Sequence, residues 1–460
     1  MINISLSTIA LILNSKLIGK DCVISDIYID SRENFLNKKC MFVALKGKKF
    51  DGHDFICQAV EKGASALLIN RIFKLNVPQI LVANTYESLY KLTLWIRNNL
   101  NTRIIAITGS TGKTSIKEMI SSILKRCGKV IFTYKNNNNI VGVILTILKI
   151  ERKHKFAVIE VGASKIGEIS KCIKLIKPHV SLVNNIFESH LSGFKSLTIL
   201  SIEKGRIFSK MNKNAKAIIN LDSNNFNHWK KYLYKKKVYT FSLFYSKKSN
   251  FFSSKINTDK NGTYFNFHDR NKHIYKIWIP LMGLHNVSNA IATIVIAVSL
   301  GIKKNKIKSG LRNLSKIPGR LYPIKIKNKV LLIDDTYNSN IGSLQSAINF
   351  LNNIKCYKIL VIGDMLDLGK NSLNLHIKIG KELKKTKIDF IFSIGSLSYF
   401  ISLYSKKKKH FFNKSEIIDC LIKKILSNKK MLILVKGSRK TKMEKIIKLI
   451  KKKINVKKLY

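Results

Sequence analysis

Short apolar runs alternate with segments of helical periodicity along most of the chain. Near the N-terminus this pattern predicts one helix and three strands, at 55–62, 41–45, 66–69 and 79–82. A polar run at 98–102 is typical of a linker. The chain therefore begins with a small mixed domain that we assign to residues 1–100.

The middle of the chain begins with an apolar run at 103–107, which is typical of a buried parallel strand. Apolar residues then recur at helical spacing until Gly128, a residue type that commonly ends helices. Two further apolar runs predict buried strands, at 156–161 and 180–183. Between 241 and 279 the pattern alternates and is rich in aromatic residues, which predicts an antiparallel patch with a turn at Asn261 and Gly262.

The last third of the chain alternates buried strands with helices, which is typical of a doubly wound sheet. The strands are predicted at 330–333, 358–362, 390–394 and 431–435. The lysine-rich tail from Lys440 has the period of an amphipathic helix, and we favour a solvated edge helix over one that binds a membrane surface. The predicted fold is α/β with three domains. These are a small N-terminal domain, a central domain with a P-loop-type parallel sheet and helices, and a Rossmann-like C-terminal domain, at 1–100, 101–315 and 316–460.

The charge of the chain is extreme, because 84 Lys and Arg face 26 Asp and Glu, for a net charge of +58. A nucleic-acid or anionic-membrane binder is one interpretation. The lysines are spread along the whole chain, however, and Lys outnumbers Arg, so we favour a general drift of surface composition towards lysine. We therefore expect no specific nucleic-acid partner, although a positive surface still attracts anionic substrates.

Cysteine usage and hydropathy indicate the compartment. The seven cysteines are scattered and form no CxxC pair, which favours reduced thiols over a disulfide framework or a zinc site. The longest largely apolar run, 290–302, is too short to span a bilayer and predicts a buried helix. No secretory signal is visible. We expect a cytoplasmic monomer without a membrane span.

A glycine-rich turn of sequence TGSTGKT occupies residues 108–114, between the first predicted strand of the central domain and its helix. Gly109 and Gly112 allow the backbone to turn tightly against phosphate oxygens. Free N–H groups at a helix N-terminus favour an anion. Lys113 supplies a positive charge for the β- and γ-phosphates, and the Thr114 hydroxyl can bind Mg²⁺. The turn predicts an enzyme that holds ATP by its phosphates.

The motif is a shortened variant, because the full P-loop pattern requires glycine at the position of Ile107. A chance glycine-rich turn is the alternative, and the strand and amphipathic helix on either side disfavour it. Glu160 ends a predicted parallel strand, where a carboxylate beside a phosphate loop commonly holds Mg²⁺. A solvated acid at a strand end is the alternative there. By spacing alone neither His190 nor Lys204 stands out from structural histidines and solvated lysines.

Polar residues also follow predicted elements further along the chain. Asn289 lies at the start of a long helix, where it could contact a base or ribose or simply cap the helix. Arg320 lies in a turn, either as a clamp for an anion or as an exposed residue. Asp335, Tyr337 and Asn338 crowd the end of a strand more densely than a turn requires, so we favour a ligand-binding role.

Taken in order, these segments resemble the Mur ligase family, the ATP-dependent amide ligases of peptidoglycan precursor synthesis, over essentially the whole chain. The segments are TGSTGKT at 108–114, VIEVGA at 158–163, His190-Leu191, Lys204-Gly205, His285-Asn286, Asn289-Ala290, Pro318-Gly319-Arg320 and DDTYNSN at 334–340. The family also lacks the first glycine of the P-loop pattern. Other segments resemble the members that add D-alanyl-D-alanine, namely FVALKG at 42–47, FDGHDF at 50–55, GDMLDLG at 363–369 and VKGSR at 435–439. The DNPR motif of the diaminopimelate- or lysine-adding members is absent.

The resemblance implies a set of site residues. It implies ATP binding by the phosphate loop, through Gly109, Ser110, Thr111, Gly112, Lys113, Thr114 and Ser115. It implies two Mg²⁺ ions, one held by Thr114 and Glu160 and a second by His190, with Lys204 carried as a carbamate that is also a metal ligand. Asn289, Tyr337 and Asn338 would bracket the adenine, Asp335 would approach the ribose and Arg320 the γ-phosphate. The implied catalytic residues are Lys113, His190, Lys204 and Arg320.

The resemblance also implies the substrates. Asp30, Ser31 and Arg32 correspond to the region that binds the uridine diphosphate end of UDP-N-acetylmuramoyl-tripeptide, and Lys46 is implied as a further substrate-binding residue. Asn136 and Asn139 lie in a loop that faces this substrate, although the Asp and Pro of the family pattern are replaced there. The implied reaction activates the tripeptide carboxylate as an acyl phosphate, which the amine of D-alanyl-D-alanine then attacks.

Three alternatives stay open at this point. Another ligase of the same superfamily, such as a folylpolyglutamate synthetase or a different Mur ligase, would use ATP with a different acceptor and amine. A basic P-loop ATPase would be stimulated by nucleic acid. A nucleotide-binding scaffold without activity is disfavoured by the presence of Lys113, Glu160 and His190.

Overall fold

Three predominantly parallel sheets with flanking helices follow one another along the chain. The structure, a computed structural model, describes residues 3–33, 39–189, 191–212, 214–223, 226–259, 261–271, 273–327, 329–427 and 430–456. In this part of the chain the α/β class predicted from the sequence is confirmed.

The N-terminal part carries a five-stranded sheet and a short two-stranded one. Its elements are β1 (Ile4–Ser5), α1 (Leu6–Leu13), β2 (Lys16–Ile18), β3 (Val23–Ile24), β4 (Asp26–Tyr28), β5 (Cys40–Val43), a 3₁₀ helix (Gly52–Phe55), α2 (Ile56–Glu61), β6 (Ala66–Ile69), β7 (Gln79–Leu81) and α3 (Thr85–Asn98). The larger sheet has the order β2-β7-β6-β5-β4, and only β2 runs antiparallel to its neighbour.

The central part is built on a fully parallel six-stranded sheet of order β13-β12-β11-β8-β10-β9, beside an antiparallel sheet of order β14-β15-β16. Its elements are β8 (Arg103–Thr108), α4 (Lys113–Leu124), β9 (Lys129–Phe132), α5 (Ile140–Leu148), β10 (His154–Glu160), α6 (Glu168–Ile176), β11 (Val180–Val183), α7 (Leu191–Phe194), α8 (Leu197–Gly205), β12 (Lys216–Asn220), α9 (Lys230–Leu233), β13 (Lys237–Phe241), β14 (Phe252–Thr258), β15 (Thr263–His268), β16 (Ile274–Ile279), α10 (Leu284–Ser299) and α11 (Lys304–Arg312). Short 3₁₀ helices lie at Arg206–Phe208, Leu221–Ser223 and Phe226–Trp229.

The C-terminal part is a doubly wound sheet of order β17-β18-β22-β19-β20-β21, parallel except for β17. Its elements are β17 (Tyr322–Lys327), β18 (Val330–Asp335), α12 (Ile341–Asn352), β19 (Tyr357–Gly363), α13 (Ser372–Leu383), β20 (Phe390–Ile394), α14 (Ser398–Tyr404), β21 (Lys408–Phe411), α15 (Lys414–Leu426), β22 (Met431–Lys436) and α16 (Glu444–Val456). Short 3₁₀ helices lie at Gly369–Asn371 and Arg439–Thr441.

Each strand predicted in the sequence is present within a residue or two of its predicted bounds. The predicted turn before β15 is also present, where the backbone N–H groups of Asn261 and Gly262 both donate to Asp259 Oδ1, at 2.7 and 3.0 Å. The C-terminal sheet has two further strands, β17 and β21, that the pattern did not predict. Both lie at sheet edges, where exposed lysines such as Lys408 and Lys409 interrupt the apolar pattern and discourage edge-to-edge pairing.

The tail helix α16 buries its apolar face, with Ile446 and Ile450 fully inaccessible to solvent. This face packs on α15 and β22, so the amphipathic period serves intramolecular packing, with the lysines on the outer side. Among the described residues no helix combines the length and the apolar character needed to cross a membrane.

The N-terminal and central parts share one apolar core. Leu92 and Ile96 of α3 belong to the same buried cluster as Ile144 and Ile147 of α5 and Ile173 of α6. The polar linker predicted at 98–102 lies beside this core, between α3 and β8. The domain limits at 100 and 315 stay predictions.

Candidate active site

The phosphate loop connects β8 to α4 at the carboxyl end of the parallel sheet, which is where such sheets bind ligands. Gly112 has a φ of +79°, and a Cβ there would lie 2.4 Å from Asn289 Oδ1 and 2.5 Å from Asn184 Nδ2. Only glycine fits this position without displacing both amides.

Two asparagines that directly follow β11 hold the loop in place. Asn185 accepts a hydrogen bond from Thr111 N–H through its Oδ1 at 2.8 Å and from Ser110 N–H through its backbone oxygen at 2.9 Å. Asn184 Nδ2 donates to Thr111 O at 3.1 Å and to Asn289 Oδ1 at 3.0 Å. Asn289 therefore braces the loop through Asn184, while its predicted contact with adenine stays a prediction. Neither of these loop-holding asparagines was predicted as a site residue, although a polar pair at a strand's carboxyl end is a visible signal in the sequence.

Glu160 lies opposite the loop at the end of β10, and its side chain is buried. Its Oε2 accepts a hydrogen bond from Thr114 Oγ1 at 2.9 Å, and its Oε1 accepts one from Asn138 Nδ2 at 2.8 Å. A hydroxyl and a carboxylate oxygen at this distance are the hard ligands that Mg²⁺ prefers, so the pair fits the predicted metal. Among the described residues no three His, Cys, Asp or Glu side chains cluster as a metal site. His190, the predicted second ligand, lies outside them.

Two lysine side chains converge on one backbone oxygen. Lys113 Nζ lies 2.7 Å and Lys204 Nζ 3.2 Å from Gly109 O. Burial lowers the pKa of Lys113, and Glu160 partly opposes this while Arg320 adds to it. Burial and the like charge of Lys113 place the pKa of Lys204 well below its usual range, although Glu203 opposes this. A neutral amine is the form that can react with carbon dioxide, so the surroundings of Lys204 fit the predicted carbamate.

Arg320 reaches the loop from the C-terminal part of the chain. Its Nη2 donates to Thr114 Oγ1 at 2.9 Å, and its guanidinium lies over the Tyr337 ring at 4.2 Å from the centroid. Gly319, at a φ of +76°, packs against the backbone of Tyr337 and directs the arginine inwards. Arg320 is thus placed beside the hydroxyl of Thr114, the predicted metal ligand, and its contact with a γ-phosphate stays a prediction.

Asp335 is held by an ion pair. Its Oδ2 accepts a hydrogen bond from Lys436 Nζ at 2.7 Å, and Lys436 also donates to Asn338 O at 3.1 Å. Burial lowers the pKa of the nearby His285 to about 4. The negative charge of Asp335 acts against this shift, and the positive charge of Lys436 adds to it. Lys436 is a site residue that could not be predicted from the sequence, since one lysine among so many carries no signal. The predicted contact of Asp335 with ribose stays a prediction.

The residues predicted to bind the first substrate are only partly brought into the cleft. Asn136 lines it, but Asn139 caps α5 by accepting from Gly142 N–H at 2.8 Å. The remaining four, Asp30, Ser31, Arg32 and Lys46, do not line the cleft. Asp30 and Arg32 form an ion pair of 2.7 Å, and Ser31 Oγ donates to Gln58 Oε1 at 2.6 Å. The role of Asp30, Ser31 and Arg32 at the uridine diphosphate end stays a prediction, as does substrate binding by Lys46.

The loop, Glu160, Lys204, Arg320 and Lys436 all line one cavity of about 830 Å³ between the central and C-terminal parts. This volume accommodates a ligand of nucleotide size. Since cationic and acidic side chains from both parts of the chain face one space, the cavity is suited to phosphoryl transfer between anionic partners.

The site combines a phosphate loop that carries a lysine, a buried carboxylate opposite the loop, and an arginine that reaches the loop from a doubly wound domain. This combination defines a class of ligase. The chain belongs to the Mur ligase family. Three domain models match it, described as "Mur ligase family, catalytic domain" at residues 23–91, "Mur ligase middle domain" at 107–297 and "Mur ligase, glutamate ligase domain" at 319–439. The resemblance predicted from the motifs is confirmed.

Similarity to individual proteins is high along the whole chain. The UDP-N-acetylmuramoyl-tripeptide–D-alanyl-D-alanine ligase of Buchnera aphidicola subsp. Baizongia pistaciae is 45% identical over 92% of both chains. The crystal structure of MurF from Acinetobacter baumannii superposes with a TM-score of 0.90 at 29% identity, over 98% of this chain and 99% of that one. MurF from Thermotoga maritima in complex with ADP gives a TM-score of 0.84 at 25% identity, over 94% and 98%.

Proposed function

We propose that this ligase joins D-alanyl-D-alanine to UDP-N-acetylmuramoyl-tripeptide and converts ATP to ADP and phosphate. The observation that carries the proposal is the 45% identity to a ligase of this name over 92% of both chains. The cluster of cations around the phosphate loop supports the use of ATP, as does the ADP bound by the related Thermotoga ligase. The cytoplasmic location and the monomeric state stay predictions.

The site residues suit activation of a carboxylate. A carboxylate resists attack by an amine at neutral pH, because attack would have to expel an oxide. Transfer of the γ-phosphoryl group to the carboxylate oxygen creates an acyl phosphate, whose phosphate is a good leaving group. Lys113 and Arg320 both line the cavity at the phosphate loop and would offset the negative charge of both reacting anions.

We assign Thr114 and Glu160 to one Mg²⁺, and His190 and the carbamate of Lys204 to a second. Bound there, Mg²⁺ would supply charge neutralisation for the phosphoryl group. The Thr114–Glu160 distance of 2.9 Å supports the first assignment. The second rests on the burial of Lys204, whose carbamate would replace a repelled cation with an anion beside Lys113.

The C-terminal part completes the site. The amine of D-alanyl-D-alanine attacks the acyl carbon, the bond to phosphate breaks, and the amide forms as the ammonium loses its proton. Arg320 holds this part of the chain against the loop through Thr114, and Lys436 lines the same cavity. Closure of the cleft would therefore exclude water that otherwise hydrolyses the intermediate.

The proposed reaction is tested by measuring phosphate release from ATP with UDP-N-acetylmuramoyl-tripeptide, with and without D-alanyl-D-alanine. We expect turnover to require both the tripeptide and the dipeptide. Release that is the same without the dipeptide would exclude the proposed amine substrate, and release that depends on a folate instead would favour the rival ligase.

The assignment of the loop is tested separately with Lys113→Ala. We expect loss of phosphate release by at least about 100-fold, since an isolated cation at the transferred group contributes several kcal/mol. The control is Lys174→Ala, which removes an exposed lysine from α6 and should keep the wild-type rate. Near-normal turnover of Lys113→Ala would show that the loop is not the phosphate site.

A further inference from the structure

Lys117 is one of the largest fully buried side chains in the described chain, with 1% of its surface exposed. It lies on α4, one helical turn after Thr114, so both side chains project from the same face of the helix. A buried ammonium is costly unless polar atoms satisfy its N–H groups, so its partners indicate why the lysine is retained.

The partners of Lys117 are backbone oxygens at the end of β9. Its Nζ donates to Thr133 O at 2.8 Å and to Lys135 O at 3.3 Å, and lies 3.2 Å from Glu118 Oε1. Lys135 has a φ of +48°, in the left-handed region that a side chain disfavours by about 1–2 kcal/mol. The ammonium therefore holds a strained turn of the segment 133–139 against the helix.

The same segment holds the proposed metal carboxylate. Thr133 Oγ1 accepts from Glu160 N–H at 3.0 Å, and Asn138 Nδ2 donates to Glu160 Oε1 at 2.8 Å. Asn138 O also accepts from Gly162 N–H at 2.8 Å, so the segment follows the end of β10 on both sides of Glu160. The position of the carboxylate thus depends on a segment that Lys117 fixes to the helix carrying Thr114.

We propose that Lys117 is a positioning residue that sets the spacing of Thr114 and Glu160 through the segment 133–139 and thereby the affinity of this site for Mg²⁺. The proposal rests on the proposed assignment of Thr114 and Glu160 to Mg²⁺. Groups that orient metal ligands typically change metal affinity by about 10–100-fold when they are removed. Lys117 does not line the cavity, so its loss should leave metal-free nucleotide binding unchanged.

Calorimetric titration of the full chain with ADP, with and without MgCl₂, tests the proposal without any catalytic turnover. Without Mg²⁺, we expect Lys117→Met to bind ADP with the same affinity as the wild type. The factor by which Mg²⁺ increases the ADP affinity should be about tenfold smaller in Lys117→Met than in the wild type. The Mg²⁺ concentration for half-maximal ADP formation should rise by a similar factor. The control is Lys358→Met, which removes another buried lysine from β19 and should change neither quantity.

A second variant keeps the test decisive if Lys117→Met does not fold. Asn138→Ala removes the contact with Glu160 at a partly exposed residue, and the same loss of Mg²⁺ tightening is expected. In the double variant the two losses should not add, because both act through one segment. The proposal would be overturned if ADP affinity fell equally with and without Mg²⁺. It would also be overturned if Mg²⁺ increased the ADP affinity of both single variants as much as that of the wild type. A wild type that binds MgADP but releases no phosphate would instead refute the proposed reaction and leave this test valid.

Discussion

At the scale of single residues, the site brings together two lysines whose like charges repel each other. Lys113 and Lys204 share the backbone oxygen of Gly109, and the pKa of Lys204 is lowered well below its usual range by burial and by that neighbour. Such a pair stabilises little as two cations. It becomes favourable when one amine is neutral or is converted into an anion, which is the chemistry that a carbamate would supply.

Lys204→Ala tests this assignment. We expect loss of phosphate release by at least about 100-fold, because a metal-holding anion near the transferred group is removed. Short carboxylates such as acetate should restore part of the rate. A carbamate signal should appear in the ¹³C NMR spectrum of the wild type in labelled bicarbonate and be absent from the variant. A variant with the wild-type rate would show that Lys204 is only structural.

A second residue-scale prediction concerns His285, whose folded-state pKa of about 4 lies below its usual value of 6.5. Protonation of His285 is disfavoured in the folded state. The contribution of the neutral imidazole to the free energy of unfolding is therefore fully present above pH 6.5 and is lost as the pH falls towards 4. The loss should amount to about 3 kcal/mol of unfolding free energy. Denaturant titrations between these pH values should show a smaller decline for His285→Gln than for the wild type. His228 is exposed, so His228→Gln should not alter the decline. A decline in His285→Gln equal to that of the wild type would show that protonation of His285 does not cause it.

At the scale of elements, α3 and α6 are joined by a buried guanidinium. Arg97 of α3 donates to Ile176 O at 2.8 Å and to Lys177 O at 2.9 Å, at the C-terminal end of α6, and to Leu100 O at 3.1 Å. It therefore satisfies carbonyls that a helix end leaves without partners, and it fixes the linker before β8. The phosphate loop follows β8, so the clamp also anchors the strand that carries the loop.

Arg97→Ala should lower the unfolding free energy by about 3 kcal/mol, since three carbonyls lose a charged donor at a site closed to water. Urea denaturation followed by circular dichroism measures the difference. Arg103→Ala, which removes an exposed arginine at the start of β8, should change the free energy by less than about 0.5 kcal/mol. A loss of similar size in both variants would mean that the clamp contributes nothing specific.

Elements were predictable from the sequence where one physical signal dominated. Buried strands such as β6 and β22 contain uninterrupted apolar runs, because both faces of a parallel sheet are covered. Edge strands β17 and β21 carry exposed lysines, such as Lys325 and Lys408, and gave no such run. These two strands are recognisable only from their pairing with the neighbouring strands β18 and β20.

At the scale of the whole molecule, the cleft joins distant parts of one chain. Arg320 meets Thr114 across 206 positions of sequence, and the sheets on either side present their carboxyl ends to the same cavity. The net charge of +58 surrounds this cleft with a positive field, and its proposed substrates are anions.

The charge predicts a dependence on salt. Raising the ionic strength from about 0.05 to about 0.5 M should lower kcat/KM for the UDP-linked substrate several-fold while kcat changes little, because screening weakens attraction before binding. Steady-state kinetics at matched Mg²⁺ concentration measures both quantities. Added DNA should not stimulate turnover. Stimulation by DNA would favour the ATPase alternative, and a salt-independent kcat/KM would leave the charge without a role in substrate capture.

The sequence by itself determined the α/β class, the phosphate loop, the buried strands and the family, because each depends on local periodicity or on residue types in a fixed order. Only the tertiary structure decided that Asn184 and Asn185 brace the loop, that Lys436 holds Asp335 and that Lys117 supports the segment beside Glu160. These roles depend on burial and on contacts between residues far apart in the chain. In a sequence with 84 basic residues, burial is the property that separates a lysine of the site from a solvated one.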